Sequence, residues 1–494
     1  MEMNKMRCHF SIIFEKAGSF LLFWLALAVT RIDDISDALL TGNLQTALYV
    51  CGGLFLLLLL VMGYQFLVWR KTFIYIDGDT FVVERNTLNR QKSTFGIANI
   101  ANINLEQNLL ERIIGTYRLK LDTDSFSTAS TTDVSIVLSS EKAQLLKNKL
   151  LSLMKKNAKP IDTETLKESK VSTEHSVPYA SLGEVLFHCF FSISTGLLFL
   201  ALIIIVGGPL LFHFKDISFW DIISENNTSF SGRFLAILFL IITYGYSLIK
   251  QLLSFYQFRC FRKDNDLIIR YGLLRKQDFT IPNDRINAIQ ILQPPLARLT
   301  GRMQARLICI GLGDSENEKP QLTLCMKKKE FYARLEELLP EFSTKSTQTV
   351  HKLPKGSGIT YLLSSLLLLV CSGVILGLVG FHTAESESAQ LFSAIIYGIT
   401  LFFLILYRLF HYFSMGTHLG TEQLVIHDGA FQKQTWIIPY RKIQYVEFNQ
   451  NPFHQVYGIK KGTVYILASF GDSLLSLPLI PQMDALKLQK ELLR

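Results

Sequence analysis

One stretch of the chain decides its fold: IPNDRINAIQILQPPLARLTG, which runs from Ile281 to Gly301. The same pattern occurs as FGIANIANINLEQNLLERIIG at 95–115 and as IPYRKIQYVEFNQNPFHQVYG at 438–458. The copies align without a gap, apolar residues alternate along them, and each copy ends on glycine. Alternation with period two predicts a half-buried strand, and the glycine predicts a turn with positive φ. The chain therefore contains one module three times.

The flanking sequence extends each module. Strand-like runs in pairs precede the stretch at 73–84, 267–281 and 424–438, and an amphipathic helix pattern follows it at 140–156, 327–339 and 481–493. Asn86, Gly272 and Gly429 occupy one aligned position, which predicts the same left-handed turn in each copy. Each copy is thus expected to form a compact antiparallel β unit closed by a C-terminal helix.

Composition places these modules in a membrane protein. Of 494 residues, 49% are apolar and 18% are charged, whereas soluble domains carry about 25% charged residues. Runs with little or no charge occur in pairs before the modules, at 17–30, 39–69, 185–214, 234–258, 359–384 and 389–407. A transmembrane helix needs about 20 apolar residues. The predicted fold class is therefore an α+β membrane protein with six transmembrane helices in three hairpins, each followed by a β module with a C-terminal helix.

These runs give the predicted domain boundaries. Transmembrane hairpins are expected at 10–69, 181–258 and 359–413, β modules at 70–156, 259–342 and 414–494, and polar linkers at 157–180 and 343–358. The short connections inside the hairpins are acidic, whereas the outer flanks carry lysine and arginine. The positive-inside bias then predicts a cytoplasmic N-terminus and three cytoplasmic modules in a cell membrane.

Several of these residues also suggest a family. The runs Tyr271–Lys276 and Ile281–Ile289, followed by Gln293 and 298–301, resemble the bacterial pleckstrin-homology-like (PH-like, bPH2-type) domain family. The arrangement in three copies resembles the YdbT-type membrane proteins of Bacillus. The resemblance implies a PH-like β-barrel or sandwich capped by a helix and residence in the membrane. It also implies a smaller single-hairpin homologue as partner and, in some relatives, a role in envelope stress or resistance to bacteriocin-like peptides.

The repeat supplies the candidate binding residues. They are its aligned glutamines, arginines, basic residues before the aligned isoleucine, closing glycines and one lysine cluster: Gln107, Gln293, Gln450, Arg112, Arg298, Arg285, Lys442, Gly115, Gly301, Gly458, Lys327, Lys328 and Lys329. The glutamines either bind a ligand or satisfy backbone groups in a turn, and we favour the second interpretation. The arginines either contact lipid phosphate or are solvated. The lysines either attract anionic lipid, at about 1 kcal/mol per charge, or form a solvated helix face, and we favour the second interpretation.

No catalytic motif accompanies the repeat. The sequence lacks HExxH, a P-loop and a GxSxG elbow, and its seven cysteines stand singly. We therefore expect no enzymatic activity, no cofactor, no metal site and no nucleic-acid partner. The expected function is a membrane scaffold that binds a membrane partner, anionic lipid or both. The alternatives are a component of a transporter for an amphipathic peptide or lipid, and a lipid-modifying enzyme that uses Glu184 with His188.

Overall fold

The computed structural model describes most of the three modules and parts of the segments between them. The described residues are 5–13, 15, 18, 44–87, 90–123, 134–157, 179–191, 227–309, 320–343, 351–354, 356–359, 361, 370–371, 373–374, 387–468 and 473–493. They fall into two compact units. The first comprises Met1–Thr128, Thr132–Lys170 and Leu274–Phe279, and the second comprises Ala129–Thr131, Val171–Leu273 and Thr280–Arg494.

The helices and strands follow the order of the repeat. The helices are α1 (Leu44–Arg70), α2 (Leu109–Ile114), α3 (Ser140–Asn157), α4 (Leu182–Phe191), α5 (Asn227–Ser254), α6 (Pro295–Leu299), α7 (Lys328–Leu338), α8 (Glu387–Ser414), α9 (Pro452–Val456) and α10 (Gln482–Leu492). The strands of the first module are β1 (Thr72–Asp77), β2 (Thr80–Asn86), β3 (Arg90–Gly96), β4 (Ile100–Gln107), β5 (Thr116–Thr123) and β6 (Val134–Ser139). Those of the second are β7 (Arg259–Lys263), β8 (Asp266–Tyr271), β9 (Lys276–Pro282), β10 (Ile286–Gln293), β11 (Arg302–Cys309) and β12 (Gln321–Lys327). A short strand, β13 (His351–Lys352), precedes the third module, which has β14 (Gly416–Leu419), β15 (Gln423–Asp428), β16 (Lys433–Pro439), β17 (Ile443–Asn449), β18 (Ile459–Ile466) and β19 (Leu474–Pro481).

The prediction of six transmembrane helices is wrong. Within the described ranges, no helix combines the length and the apolar character that crossing a membrane requires. The prediction counted residues free of charge, and uncharged length is necessary for a span without establishing one. Most of the runs at 17–30, 185–214 and 359–384 lie outside the described residues.

The first module lies in the first unit. Strands β1, β2 and β3 pair in that order, as do β4, β5 and β6, and all the pairs are antiparallel. The strands enclose an apolar core to which α3 contributes Ala143, Leu146 and Leu150, all fully buried. These residues are three and four positions apart and so share one helix face. Helix α3 therefore closes the module as the sequence predicts.

The second unit holds the third module and most of the second, and these two modules share a seven-stranded sheet. Its strand order is β12-β11-β10-β16-β15-β14-β13. Strand β10 of the second module pairs antiparallel with β16 of the third, with Ile289 opposite Ile437. Strands β17, β18 and β19 form a separate sheet, and Leu488 of α10 packs into the third core. One module therefore continues directly into the next through a sheet edge.

Most local predictions are confirmed, and two are wrong. The predicted C-terminal helices correspond to α3, α7 and α10, and the predicted strand pairs to β1–β2, β8–β9 and β15–β16. The repeated stretch, however, is not strand along its whole length. Its strand (β4, β10 or β17) is followed by a short helix (α2, α6 or α9), which lies between the strand and the closing glycine. Gly272 and Gly429 have positive φ values of 109° and 91°, whereas Asn86 does not share that conformation and ends β2 in the ladder with β3.

Candidate functional site

The aligned glutamines have the same structural role in every module. The side-chain amide of Gln107 donates to the carbonyl of Thr116 at 2.9 Å, that of Gln293 to Arg302 at 3.4 Å, and that of Gln450 to Ile459 at 3.1 Å. Each acceptor is the residue directly after the closing glycine. The glutamine therefore ties the end of one strand to the start of the next, across the short helix between them.

The closing glycines give this connection its shape. Gly115, Gly301 and Gly458 have φ values of 77°, 65° and 60°, a region in which a side chain is strained. Their carbonyls accept hydrogen bonds from the start of the C-terminal segment: from Ser140 at 3.1 Å, from Lys328 at 3.2 Å and from Gln482 at 2.9 Å. We call the short helix, its glycine and the first turn of the C-terminal helix the tip of a module.

Each tip exposes an apolar side chain at the same aligned position. Ile113, Leu299 and Val456 are 82%, 84% and 81% exposed, the largest values among the apolar residues of their short helices. Leu110 and Phe453 add further exposed apolar surface in the first and third modules. Because alternating apolar residues normally face a core, an exposed residue repeated three times indicates a surface that contacts something.

Each short helix has local sequence features that start it. In α2, the backbone N–H of Asn108 donates to the Glu111 carboxylate at 2.8 Å, which is half of a capping box. Proline occupies the first position of α6 and of α9. In α9, the Asn451 side chain accepts from the His454 N–H at 2.7 Å. Reading Glu111, Pro295 and Pro452 as helix starts would have located the exposed residues that the strand interpretation missed.

The second tip also carries positive charge. Lys327, Lys328 and Lys329 are all exposed at the start of α7. Burial, together with the nearby charges of Arg298 and Lys328, lowers the pKa of Lys433. Because part of this lowering comes from neighbouring cations, an anion close to them would be electrostatically favoured.

The same tip packs against α4. Ala297 of α6 forms a small buried cluster with Phe191 at the end of α4 and with Cys325 of β12. The guanidinium of Arg302 lies over the Phe187 ring, 4.9 Å from its centroid. After Phe191 the sequence carries no Asp, Glu, Lys or Arg until Lys215. The second tip therefore lies beside the end of α4 that leads into an uncharged stretch.

The remaining basic candidates are not gathered into one site. Arg298 donates from Nη1 to the carbonyl of Ala430 at 2.8 Å, and the Lys442 ammonium donates to the carbonyl of Asp284. Both bonds join the second module to the third. Arg285 lies 3.8 Å from the Asp284 carboxylate, and Arg112 is exposed on α2. Arg298 and Lys442 thus hold the two modules together.

The candidate acid–base pair has structural partners. The Glu184 carboxylate accepts from the backbone N–H of Ser181 at 2.8 Å, while Ser181 Oγ accepts from the Glu184 N–H at 3.2 Å. This is a capping box at the start of α4. His188 is buried edge-on against Phe255, with ring centroids 4.6 Å apart. In the part of the chain that the structure describes, no three His, Cys, Asp or Glu side chains are grouped to hold a metal ion.

Comparison with known proteins agrees with this architecture. The bacterial PH domain model matches residues 20–154, 195–339 and 366–494. The chain is 22% identical over 449 residues to the UPF0699 transmembrane protein YdbT of Bacillus subtilis (strain 168), an alignment that covers 87% of this chain and 86% of the relative. No solved structure matches the chain. Since one family match falls on each copy of the repeated stretch, and the matches together cover most of the sequence, the chain belongs to the bacterial PH domain family.

Proposed function

We propose that this protein is a non-enzymatic scaffold located at the membrane, and that its modules contact an anionic bilayer surface through their tips. The observation that carries the proposal is the exposure of Ile113, Leu299 and Val456 at one aligned position. An apolar residue held out on a short, rigid connection is suited to insertion among lipid headgroups. In the second module, Lys327, Lys328 and Lys329 add the positive charge that an anionic leaflet attracts.

The binding free energy expected for one tip favours contact of several tips with the bilayer at once. Burying one Ile, Leu or Val side chain is worth about 1.5–3 kcal/mol, and each lysine near an anionic surface about 1 kcal/mol. A single tip would thus bind weakly and reversibly. Where tips carried on one chain reach the same bilayer, each raises the effective concentration of the others, and binding is far tighter than that of one module.

Location at the membrane is supported by two further observations. The relative from Bacillus subtilis is named as a transmembrane protein, and this chain has a mean hydropathy of +0.27. The basic residues that flank its uncharged runs favour modules on the cytoplasmic side. Binding to a smaller homologous membrane protein, and a role in envelope stress or peptide resistance, are part of the same proposal and rest on the family resemblance.

Photo-crosslinking in lipid vesicles tests contact between tip and bilayer. The full-length protein would be reconstituted with Leu299 replaced by benzoylphenylalanine, in vesicles that contain phosphatidylglycerol or phosphatidylcholine alone. We expect lipid adducts by mass spectrometry at this position and at Ile113 and Val456, with more adduct in the anionic vesicles. The matched control is Lys263, which is exposed at the far end of β7 in the same module.

The charge contribution is tested separately. Replacing Lys327, Lys328 and Lys329 by glutamine is expected to remove the preference of position 299 for anionic lipid while leaving adduct formation in neutral vesicles. Equal labelling at Leu299 and Lys263, or no lipid adduct at any of the three tips, would refute the proposal.

A further inference from the structure

The junction between the second and third modules shows how modules of this type bind each other. Strand β10 presents its edge to β16, and five consecutive residue pairs run from Ile289–Ile437 to Gln293–Lys433. The amide of Gln290 donates to the side chain of Gln434 at 3.1 Å across this junction. Ala288 and Ile308 of the second module, which lie opposite each other in β10 and β11, enter the apolar core of the third.

Two strands near opposite ends of the chain occupy the same positions in their modules as β10 and β16 do in theirs. Strand β17 corresponds to β10, and β3 corresponds to β16. In the described part of the chain, β17 pairs with β18 and β3 with β2, and each is the last strand of its sheet. Strand β10 is buried along nearly its whole length, whereas β17 has exposed residues at alternating positions and β3 is exposed over its first residues. Unpaired edges of this kind add a strand from another chain.

The third module exposes the residues that would enter a neighbour's core. Ala288 and Ile308 align with Tyr445 and Tyr465, which stack on each other with ring centroids 3.9 Å apart. Tyr445 is 52% exposed. Two stacked rings, one on the edge strand β17 and one on its neighbour β18, therefore occupy the positions at which the second module inserts a small aliphatic pair.

The first module has an open cleft at the matching place. In the third module, Trp436 fills the core beside Ala288; the aligned residue of the first module is Ser93. A cleft of about 170 Å³ opens there between β2, β3 and β6, and Val83, Phe95 and Ile136 are among its lining residues. At the junction inside the chain, the small Ala288 lies beside the large Trp436. At the free edges the sizes are reversed, because the large Tyr445 aligns with Ala288 and the small Ser93 aligns with Trp436.

We infer that two copies of this chain join head to tail, with β17 of one copy pairing against β3 of the next and Tyr445 entering the cleft beside Ser93. Transfer of the β10–β16 register places Val446 opposite Thr94, Phe448 opposite Lys92 and Tyr445 opposite Phe95. These pairs include an aromatic pair and a lysine facing an aromatic ring, both favourable across strands. Because the two surfaces differ, the contact is heterologous and leads to a ring or to a chain of copies. The inference does not depend on lipid contact at the tips.

Exchange of the large and small residues tests the contact. The mass of the full-length protein in mild detergent would be measured over a dilution series for the wild type, for Ser93→Trp, for Tyr445→Ala and for the double variant. Ser93→Trp fills the cleft and is expected to weaken association by about tenfold or more. Tyr445→Ala should weaken it severalfold. The double variant recreates the combination of Trp436 with Ala288, and we expect association to recover towards that of the wild type.

Recovery in the double variant separates this contact from a general loss of stability. A disulfide between Thr94→Cys on one tagged copy and Val446→Cys on another is expected as well, and Thr463→Cys on the inner strand β18 serves as the control that forms none. A wild type that stays monomeric, single variants that associate normally, or a double variant no better than Ser93→Trp would overturn the inference. So would a β17 edge that cross-links to a different protein and not to a second copy.

Discussion

Strands β10 and β17 have the same place in two copies of one module, yet their surroundings differ. Both begin at an aligned isoleucine. Strand β10 ends at Gln293 and β17 ends directly before Gln450, and each of these glutamines bonds across a tip. Strand β10 has a neighbour on each side, β11 and β16, whereas β17 has β18 alone among the described residues. The side chains differ accordingly: Ile289 and Leu292 of β10 align with Val446 and Asn449 of β17. The repeat thus defines the fold of a module, while the substitutions between copies record what each module touches.

The largest expected effect comes from placing a carboxylate at the same position of the two strands. Ile289 is fully buried between two strands, opposite Leu307 of β11 and Ile437 of β16. Ile289→Asp should cost about 4 kcal/mol or more of unfolding free energy, because a buried, unpaired charge is left at the junction. Val446 is only partly buried, against the core of the third module, so Val446→Asp should cost less, about 1–2 kcal/mol. Thermal unfolding of the full-length protein in dilute detergent measures both.

Trp436 provides a local control for this comparison. It lies opposite Gln290 in the junction, so a change in its fluorescence with Ile289→Asp reports that the junction itself is disturbed. Equal losses of stability in the two variants would mean that the exposed edge of β17 is covered in the isolated protein, and the comparison of the two strands would fail.

A pH-dependent difference between these modules is expected next. The third module has His427 in β15 where the second has Arg270 in β8. Burial, followed by the charges of Lys433 and His418, lowers the pKa of His427 to about 4. Its Nδ1 lies 2.7 Å from the hydroxyl of Thr435 in β16, the strand that joins the modules.

The sign of the pH effect follows from that pKa. His427 is neutral in the folded state down to about pH 4, whereas the unfolded chain takes up a proton near pH 6.5. The contribution of His427 to stability is therefore constant above pH 6.5 and is lost as the pH falls from 6.5 to 4, by about 3 kcal/mol in total. His427→Gln should remove this contribution and make the fall in unfolding free energy across that range shallower. An unchanged pH profile in this variant would show that another group is responsible.

Sequence reasoning predicted the strands, turns and helices that occur in every copy, and it missed the contact between modules and the exposure of the tip residues. The copies at 95–115, 281–301 and 438–458 gave the strands, the closing glycines and the C-terminal helices, since these depend on local periodicity and backbone conformation. The pairing of β10 with β16 was not predicted, because an edge contact leaves no periodic signal and is set by residues far apart in sequence. The exposed tip residues were missed because Ile113, Leu299 and Val456 continue an apolar alternation after the strand has ended. The count of transmembrane helices was wrong because it rested on the absence of charge.

Alanine at the closing glycines should have a moderate effect that is equal in the two modules. A Cβ at Gly301 or Gly458 meets no atom within 4 Å, so the cost is backbone strain alone. We expect a loss of about 1–2 kcal/mol of unfolding free energy for Gly301→Ala and for Gly458→Ala. Asparagine, which tolerates positive φ, should cost less at both positions. A large difference between the two alanine variants would show that the conformation of a tip depends on the neighbouring module.

The smallest expected effect tests whether the aligned glutamines act locally. Gln107 is buried and bonds at 2.9 Å, whereas Gln293 and Gln450 are partly buried and bond at 3.4 Å and 3.1 Å. Replacement by alanine leaves one backbone carbonyl without its donor, which costs about 1 kcal/mol when water cannot reach it and less when it can. We therefore expect Gln107→Ala to be the most destabilising, with Gln293→Ala and Gln450→Ala close to each other despite the different surroundings of β10 and β17. Hydrogen exchange at the tips would measure the loss, since the bond holds the short helix against the next strand. If instead the glutamines bound a ligand, the variants would keep the exchange rates of the wild type and lose only binding.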